Sequence, residues 1–238
     1  MTHGTLKNNM QETKLPIIIS VGGSLIVQDI INVDFISKLK LILEKKIEEG
    51  ERFILVAGGG KTARTYQAGL RHFFPESPID GDWIGIHTTI LNAHLLKLIF
   101  QGHSHHTLFG DPRIKHDWIS PILIGAGYEP GHSTDFDAVC LANTYNVKKV
   151  INLSNIDYVY TSDPRVNSNA EKIEKIGWDD FLDIIPKDWS PGLNSPFDPT
   201  AARMAKDMRL EVAIINGANL ERMDDYLNKR PFIGTIIY

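Results

Sequence analysis

The chain has very little cysteine and no long apolar run. Its 238 residues include a single cysteine, Cys140, so no disulfide can form within the chain, and its apolar neighbours indicate a buried thiol. No segment approaches the roughly 18 consecutive apolar residues of a membrane span. Residues 1–14 are polar and contain nothing resembling a signal peptide. We therefore expect a cytoplasmic protein with no membrane partner and with a flexible N-terminal extension over residues 1–14.

Basic residues are also not in excess. The formal net charge is -4 and the pI is about 6.1, which argues against a general nucleic-acid binder, since such proteins carry a basic face or stripe. A content of 42% hydrophobic and 23% charged residues is ordinary for a globular protein. Any phosphate compound that this chain binds is therefore expected to be small.

Strand-like and helix-like segments alternate along the chain, with a proline-marked loop at residues 75–81. The predicted strands are residues 15–21, 52–57, 121–124, 149–153, 211–215 and 233–238. The predicted helices are residues 33–49, 61–73, 83–100, 134–145, 199–208 and 220–228. This alternation predicts one α/β domain over residues 15–238, a three-layer α/β/α sandwich with a mainly parallel central sheet.

Three glycine-rich turns follow apolar runs, at residues 22–24, 58–60 and 125–127, and the last leads to a Gly-His-Ser-Thr-Asp segment at 131–135. Backbone amides bind an anion best where no side chain intervenes and where a helix N-terminus follows. Several such turns in one domain predict a site for a polyphosphate.

Two familiar phosphate motifs do not explain the second turn. A Walker P-loop would need a glycine five positions before Gly60, where the chain has Leu55. Gly58, Gly60 and Ala63 satisfy a dinucleotide fingerprint, but Asp80, at the required distance, follows no strand. A tight turn without a ligand remains a further alternative.

Polar residues near these turns have both structural and functional interpretations. Arg64 lies one helical turn beyond the triple glycine. Its guanidinium could bind an anion there, or it could be a solvent-exposed charge on the helix surface. Ser133, Thr134 and Asp135 precede an apolar helix and are either an N-cap or part of a site. The polar segment 152–165 follows a strand and is either a surface loop or a ligand-binding loop.

Two other groups of residues do not indicate a site. The histidines of segment 103–106 lack partner ligands at a suitable spacing, so we predict no metal-binding site on the protein. The four tryptophans, Trp83, Trp118, Trp178 and Trp189, are interpreted as packing or interface residues.

Taken in order, the motifs resemble those of a known family. They are Gly-Gly-Ser, Gly-Gly-Gly-Lys-x-x-Arg, Asp-Trp-Ile-Gly, Ser-Thr-Asp, Asn-Ile-Asp-x-Val-Tyr-x-x-Asp-Pro-Arg, Asp-Pro-x-Ala-Ala-Arg and a terminal Gly-Thr. This set resembles the amino-acid kinase superfamily, and most of all its uridylate kinases of archaeal and bacterial type. The resemblance covers nearly the whole chain. It implies transfer of the γ-phosphoryl group of ATP to UMP, a Mg²⁺ cofactor, a role in pyrimidine biosynthesis and a homo-oligomer, in this family a hexamer.

The resemblance also implies roles for individual residues. The UMP-binding positions are matched by Gly58, Gly59, Gly60, Arg64, Asp82 and Thr134. The ATP-binding positions are matched by Gly22, Gly23, Ser24, Asn155, Tyr160 and Asp163. Asp135 and Asp198 match active-site carboxylates. UMP binding is thereby assigned to the N-terminal part of the domain and ATP binding to the C-terminal part.

The chain departs from the family pattern at two positions. Many superfamily members have a lysine two residues before the first Gly-Gly, whereas this chain has Ser20. Lys61, Arg64 or Arg203 would then supply the missing charge, or catalysis is weakened. Tyr158 stands where the family often has glycine, which puts the identity of the phosphate donor in question.

The phosphate chemistry agrees with the resemblance. A nucleoside monophosphate has a second pKa near 6, so its attacking oxygen is largely ionised at neutral pH and needs no strong general base. Asp135 is therefore interpreted as an organiser of cations, hydrogen-bond donors or magnesium-bound water.

Alternatives to a UMP kinase remain at this point. One is a related kinase for another small phosphate or carboxylate acceptor, and another is a non-catalytic nucleotide- or oxyanion-binding relative, suggested by Ser20. The sequence also leaves open the choice between UMP and CMP, regulation by GTP or UTP, and the oligomer interface.

Overall fold

The computed structural model describes residues 14–75, 78–190, 193 and 195–238. The strands are β1 (Ile17–Val21), β2 (Phe53–Ala57), β3 (Ile122–Gly125), β4 (Lys149–Ser154), β5 (Val159–Tyr160), β6 (Lys172–Ile173), β7 (Lys175–Ile176), β8 (Glu211–Asn216) and β9 (Thr235–Ile237). The helices are α1 (Gly23–Ile26), α2 (Val33–Glu48), α3 (Gly60–Phe73), α4 (Pro78–Ile99), α5 (Thr134–Thr144), α6 (Trp178–Ile184), α7 (Pro199–Asp207) and α8 (Glu221–Leu227). None of the helices in these ranges is long and apolar enough to cross a membrane.

Seven strands form one sheet in the order β3-β2-β1-β4-β8-β9-β7. All neighbouring pairs are parallel except β8 and β9, which are antiparallel. β5 and β6 pair separately as a short antiparallel ribbon. Because the helical crossovers cover a parallel sheet, its strands read as continuous apolar runs rather than as an alternating pattern.

Two apolar cores lie on opposite faces of the sheet. Ile18 of β1 packs in the core that includes α5, α6 and α7, whereas its neighbour Ile19 packs in the core that includes α1, α2, α4 and α8. Successive strand side chains point to opposite faces, so one strand supplies both cores. The predicted three-layer α/β/α sandwich with a mainly parallel sheet is confirmed. Cys140 is buried in the first core as a free thiol.

The predicted loop at residues 75–81 is wrong over its second half. Helix α4 begins at Pro78, five residues before the predicted start, and proline is well tolerated at the first helical position because its missing amide has no partner there. Residues 76 and 77 lie outside the described residues. So does most of the predicted N-terminal extension, since the structure describes only Lys14 of it.

The order of the strands brings the first two glycine turns together. β1 and β2 are adjacent and parallel, so the turn into α1 and the turn into α3 leave the same edge of the sheet. Their backbones touch: a Cβ added at Gly23 would lie 2.0 Å from the amide nitrogen of Gly60. Only glycine permits this approach, and Gly60 also has a positive φ of 69°.

Candidate functional site

A polar cleft of about 320 Å³ opens at the carboxyl ends of β1, β2 and β4. This is the edge at which open α/β sheets bind ligands. Both glycine turns, the start of α5 and the loop before α7 line it. The predicted site residues that line it are Gly22, Gly23, Ser24, Gly58, Gly59, Gly60, Arg64, Asp82, Thr134, Asp135 and Asn155.

Side chains from α4 hold the second glycine turn in place. The side-chain amide of Asn92, which is buried, donates to the carbonyls of Gly58 at 2.8 Å and Gly59 at 3.2 Å. With these carbonyls occupied, the turn keeps one backbone conformation. Asn92 was not predicted, because it is one of several polar residues in α4 and the sequence does not show which of them faces the turn.

Three side chains meet at the floor of the cleft. Ser20 Oγ donates to Asp135 Oδ1 at 2.9 Å, and Asn152 Nδ2 donates to the same oxygen at 2.8 Å. Ser20 and Asn152 are direct register partners on the adjacent strands β1 and β4. The role of Asn152 was not predicted, although a polar residue within the apolar run of β4 was a signal for it.

Asp135 and Asp198 lie close together at the starts of two helices. Ser133 caps α5 by accepting the amide of Asp135, and its own amide donates to Asp198 Oδ2 at 2.6 Å. Asp198 in turn caps α7, with Oδ1 accepting the amides of Thr200 and Ala201. Burial, and then the charge of Asp198, raise the pKa of Asp135 to about 7. Asp135 is therefore a carboxyl whose charge changes near neutral pH.

Positive charge is scarce in the cleft. Among the described residues that line it, Arg64 is the one arginine or lysine. Lys61 lies outside the lining, with Nζ 3.3 Å from Asp29 Oδ1, and Arg203 donates to the carbonyl of Lys187 at 2.7 Å. The structure therefore does not bring Lys61 and Arg203 together with Asp135, and their catalytic role stays a prediction without geometric support.

The part of the cleft opposite the first turn is built from α3, α4 and the loop before α5. Asp82 Oδ2 accepts the amide of Gly131 at 2.9 Å, and Thr89 Oγ1 accepts the amide of Gly127 at 2.9 Å. These bonds tie the third glycine-rich segment to α4. Asp82 thus shapes the cleft wall through at least one of its oxygens.

Two of the predicted ATP-binding residues, Tyr160 and Asp163, are not in the cleft lining. Asp163 forms an exposed ion pair with Arg165, whose Nη2 lies 2.7 Å from Asp163 Oδ2. The hydrogen bonds from Arg165 lower the pKa of Asp163 to about 2. Tyr160 lies in the ribbon strand β5 and is partly exposed. Tyr158, the departure from the family pattern, packs under Lys172, whose Nζ is 4.9 Å from the ring centroid. Of the three predicted ATP-binding residues in segment 152–165, which are Asn155, Tyr160 and Asp163, the structure brings only Asn155 into the cleft lining.

The tryptophans differ in their surroundings. Trp178 is buried and donates to the carbonyl of Leu210 at 2.8 Å, and Trp118 packs under Arg52, so both are packing residues as predicted. Trp189 instead lines the cleft, next to the loop before α7. Its interpretation as a packing or interface residue did not anticipate this position.

No group of three or more potential ligand residues that could hold a metal ion occurs in the described part of the chain, and this includes the histidines of segment 103–106. The cleft therefore offers donors for anions, one arginine and a small group of carboxylates. Such an arrangement can hold phosphate groups and orient them against each other.

Comparisons with known proteins identify the family. The family model described as "Amino acid kinase family" matches residues 16–216. A uridylate kinase of Thermococcus onnurineus is 33% identical over 224 residues, which cover 93% of this chain and 98% of that protein. One of Pyrococcus abyssi is 32% identical over 214 residues, covering 89% and 94% respectively.

A solved structure agrees with these relatives. The crystal structure of uridylate kinase from Archaeoglobus fulgidus matches with a TM-score of 0.76 and 25% identity, over 94% of this chain and 100% of that one. The resemblance stated from the sequence motifs is thereby confirmed. We conclude that this chain belongs to the amino acid kinase family, among the relatives that carry the name uridylate kinase.

Proposed function

We propose that the protein transfers the γ-phosphoryl group of ATP to UMP and so produces ADP and UDP. The observation that carries this proposal is the meeting of two glycine turns, Arg64 and Asp135 around one cleft. The relatives at 33% and 32% identity carry the name uridylate kinase, which supports UMP as the acceptor. The product makes a role in pyrimidine biosynthesis part of the same proposal.

In this proposal, the phosphates of the two nucleotides meet over the turns. We assign the ATP phosphates to Gly22, Gly23 and Ser24, and the UMP phosphate to the second turn and Arg64. The amides of the turns and the guanidinium would stabilise the negative charge that spreads over the transferred group. Because the phosphate of UMP is already ionised at neutral pH, Asp135 need not remove a proton from it. The residues of the cleft then need only to bind the two nucleotides and to align their phosphates.

Further assignments rest on the family resemblance. Asp82 and Thr134 are proposed to contact UMP, and Asn155, Tyr160 and Asp163 to bind ATP. Tyr160 and Asp163 lie outside the cleft lining, so their assignment requires the donor to extend beyond the cleft along the β5–β6 ribbon.

Mg²⁺ is the proposed cofactor. It would neutralise charge on the phosphates during transfer. Such an ion keeps several waters and is held mainly by substrate phosphates, so it needs few dedicated protein ligands. Asp135, at the floor of the cleft, is suited to accept hydrogen bonds from such waters.

We also propose that residues 15–238 form one domain and that the protein is a cytoplasmic homo-oligomer, with six copies as in the family pattern. Support for assembly comes from α4, where Leu91 and Leu98 are 62% and 65% exposed and lie two helical turns apart on one side. Sedimentation velocity tests this: the wild type should sediment as an oligomer and Leu91→Glu/Leu98→Glu as a smaller species. A monomeric wild type contradicts the proposal.

A coupled assay of ADP release tests the proposed reaction. UMP, CMP, AMP and small carboxylates are compared as acceptors at fixed ATP and Mg²⁺, and we expect turnover to be fastest with UMP. Faster turnover with a carboxylate would indicate a different kinase of this family. Nucleotide binding without turnover of any acceptor would indicate a non-catalytic relative and would overturn the proposal.

A further inference from the structure

The floor of the cleft contains an arrangement that the family motifs do not describe. Ser20 and Asn152 face each other across the β1–β4 pair and are almost fully buried, at 2% and 4% exposure. Both donate to one oxygen of Asp135, Oδ1, at 2.9 and 2.8 Å. Register partners on parallel strands keep a fixed separation, so the two donors act as a rigid pair.

Two donors on a single oxygen determine the orientation of the carboxyl group. Rotation about the last side-chain bond would break both hydrogen bonds, so Oδ1 is held toward the sheet. Neither of these two donors is bonded to Oδ2, which leaves that oxygen outside the pair. A proton, when Asp135 binds one, therefore resides on Oδ2, because Oδ1 already accepts two hydrogen bonds.

We propose that Ser20 and Asn152 are positioning residues, which hold Asp135 so that Oδ2 serves the transferring phosphate and its metal-bound water. This inference rests on the proposed kinase function. It gives Ser20 a role that differs from that of the lysine found at this position in many family members. The lysine would contribute charge to the phosphate, whereas the Ser20 hydroxyl is already committed to the carboxylate.

Steady-state kinetics separate positioning from substrate binding. Ser20→Ala should lower kcat about 10-fold, the effect expected for one lost hydrogen bond to a charged group, while the KM values for UMP and ATP stay within about twofold. Ser20→Thr keeps the hydroxyl and should restore most of kcat. An unchanged kcat in Ser20→Ala overturns the inference.

A double-mutant cycle tests whether Ser20 acts through Asp135. In an Asp135→Asn background, the further change Ser20→Ala should lower kcat by less than about threefold, because the carboxylate that it positions is already gone. A full 10-fold loss in that background would show that Ser20 acts independently, and would overturn the inference. Thr144→Val is the matched control, since Thr144 lies in the same helix and donates to the carbonyl of Pro112 at 2.8 Å. It should leave kcat unchanged.

A measurement without substrates distinguishes failure of this inference from failure of the proposed function. The Asp135 carboxyl is titrated by ¹³C NMR in the wild type and in Ser20→Ala. The ionisable groups near it are Asp198 at the start of α7 and the buried Asp137 in α5, and Arg64 from α3 lines the same cleft. Loss of a donor to the ionised form should raise the pKa of Asp135 further. An unchanged pKa of Asp135 would contradict the positioning role of Ser20. A raised pKa in a protein with no turnover would contradict only the kinase assignment.

Discussion

Ser133 and Asp198 join the first turns of two helices that meet at the cleft. The amide of Ser133 donates to Asp198 Oδ2 at 2.6 Å, while Oδ1 of the same carboxylate caps α7. Ser133 itself caps α5. One carboxylate thus fixes the relative position of α5 and α7, and with it the position of Asp135.

Replacement of Asp198 should therefore lower the free energy of unfolding by more than the loss of an ordinary helix cap does. Asp198→Ala removes the acceptor of three backbone amides and should lower the free energy of unfolding by about 3 kcal/mol. The control is Asn32→Ala, which removes a cap that accepts one amide from Phe35 at the start of α2, and should cost about 1 kcal/mol. Urea denaturation measures both. Equal losses would show that the bond to Ser133 contributes nothing.

The raised pKa of Asp135 predicts how stability depends on pH. The folded chain holds the Asp135 proton up to about pH 7, whereas an aspartate in the unfolded chain loses it near the usual pKa of 3.8. Stability therefore falls as the pH rises through this range, and the full penalty is present above pH 7. Asp135→Asn should gain stability over the wild type, by about 4 kcal/mol at most at pH 8 and by almost nothing at pH 4.

An exposed aspartate with the opposite shift is the control for this prediction. Arg165 lowers the pKa of Asp163 to about 2, so its stabilising contribution is present above the unfolded pKa and is lost as the pH falls through the folded value. Asp163→Asn should therefore be slightly less stable than the wild type at pH 8. Melting temperatures measured without nucleotide at several pH values check both variants. If Asp135→Asn raised the melting temperature by the same amount at every pH, the raised pKa of Asp135 would be contradicted.

Arg64 should control acceptor affinity. Since it is the one arginine or lysine among the described residues of the cleft lining, Arg64→Ala should raise the KM for UMP about 10- to 100-fold and change that for ATP little. Arg71→Ala is matched to it, because Arg71 lies in the same helix but not in the cleft lining. If both variants bind UMP alike, Arg64 does not hold the acceptor phosphate.

The contact between the two glycine turns should tolerate no side chain. A methyl group at Gly23 would meet the backbone of Gly60 and Gly58, which has no room to move, so Gly23→Ala should cost at least about 3 kcal/mol. Gly69 lies in α3 with nothing within 4 Å of an added Cβ. Gly69→Ala should instead stabilise the protein by roughly 0.5–1 kcal/mol. Thermal denaturation distinguishes the two, and a stable Gly23→Ala protein would refute the close contact.

The regular parts of the fold could be predicted from sequence because their signals are local. Helix α2 shows the apolar spacing of Phe35, Ile36, Leu39 and Leu43 in the sequence, and all four are buried. The two-residue strands β5, β6 and β7 were missed, since they exist only through pairing with distant residues. The start of α4 was misplaced because proline was read as a loop signal.

The site could be predicted in part. Its glycine turns, Arg64 and Asp135 occur in ordered motifs and line the cleft as expected. Asn152 was missed because its function depends on lying opposite Ser20, and strand register cannot be read from one sequence. Arg203 is the last residue of the Asp-Pro-x-Ala-Ala-Arg motif, yet its guanidinium donates to the Lys187 carbonyl. Motifs locate the backbone of a site better than the direction of its long side chains.

The backbone contact of Gly23 with Gly60 has a consequence for the motion of the molecule. Because no side chain lies between the two loops at this contact, we expect them to move together as one unit. We therefore expect entry and exit of nucleotides to depend on movement at other parts of the cleft lining, such as the wall held by the Asp82–Gly131 hydrogen bond.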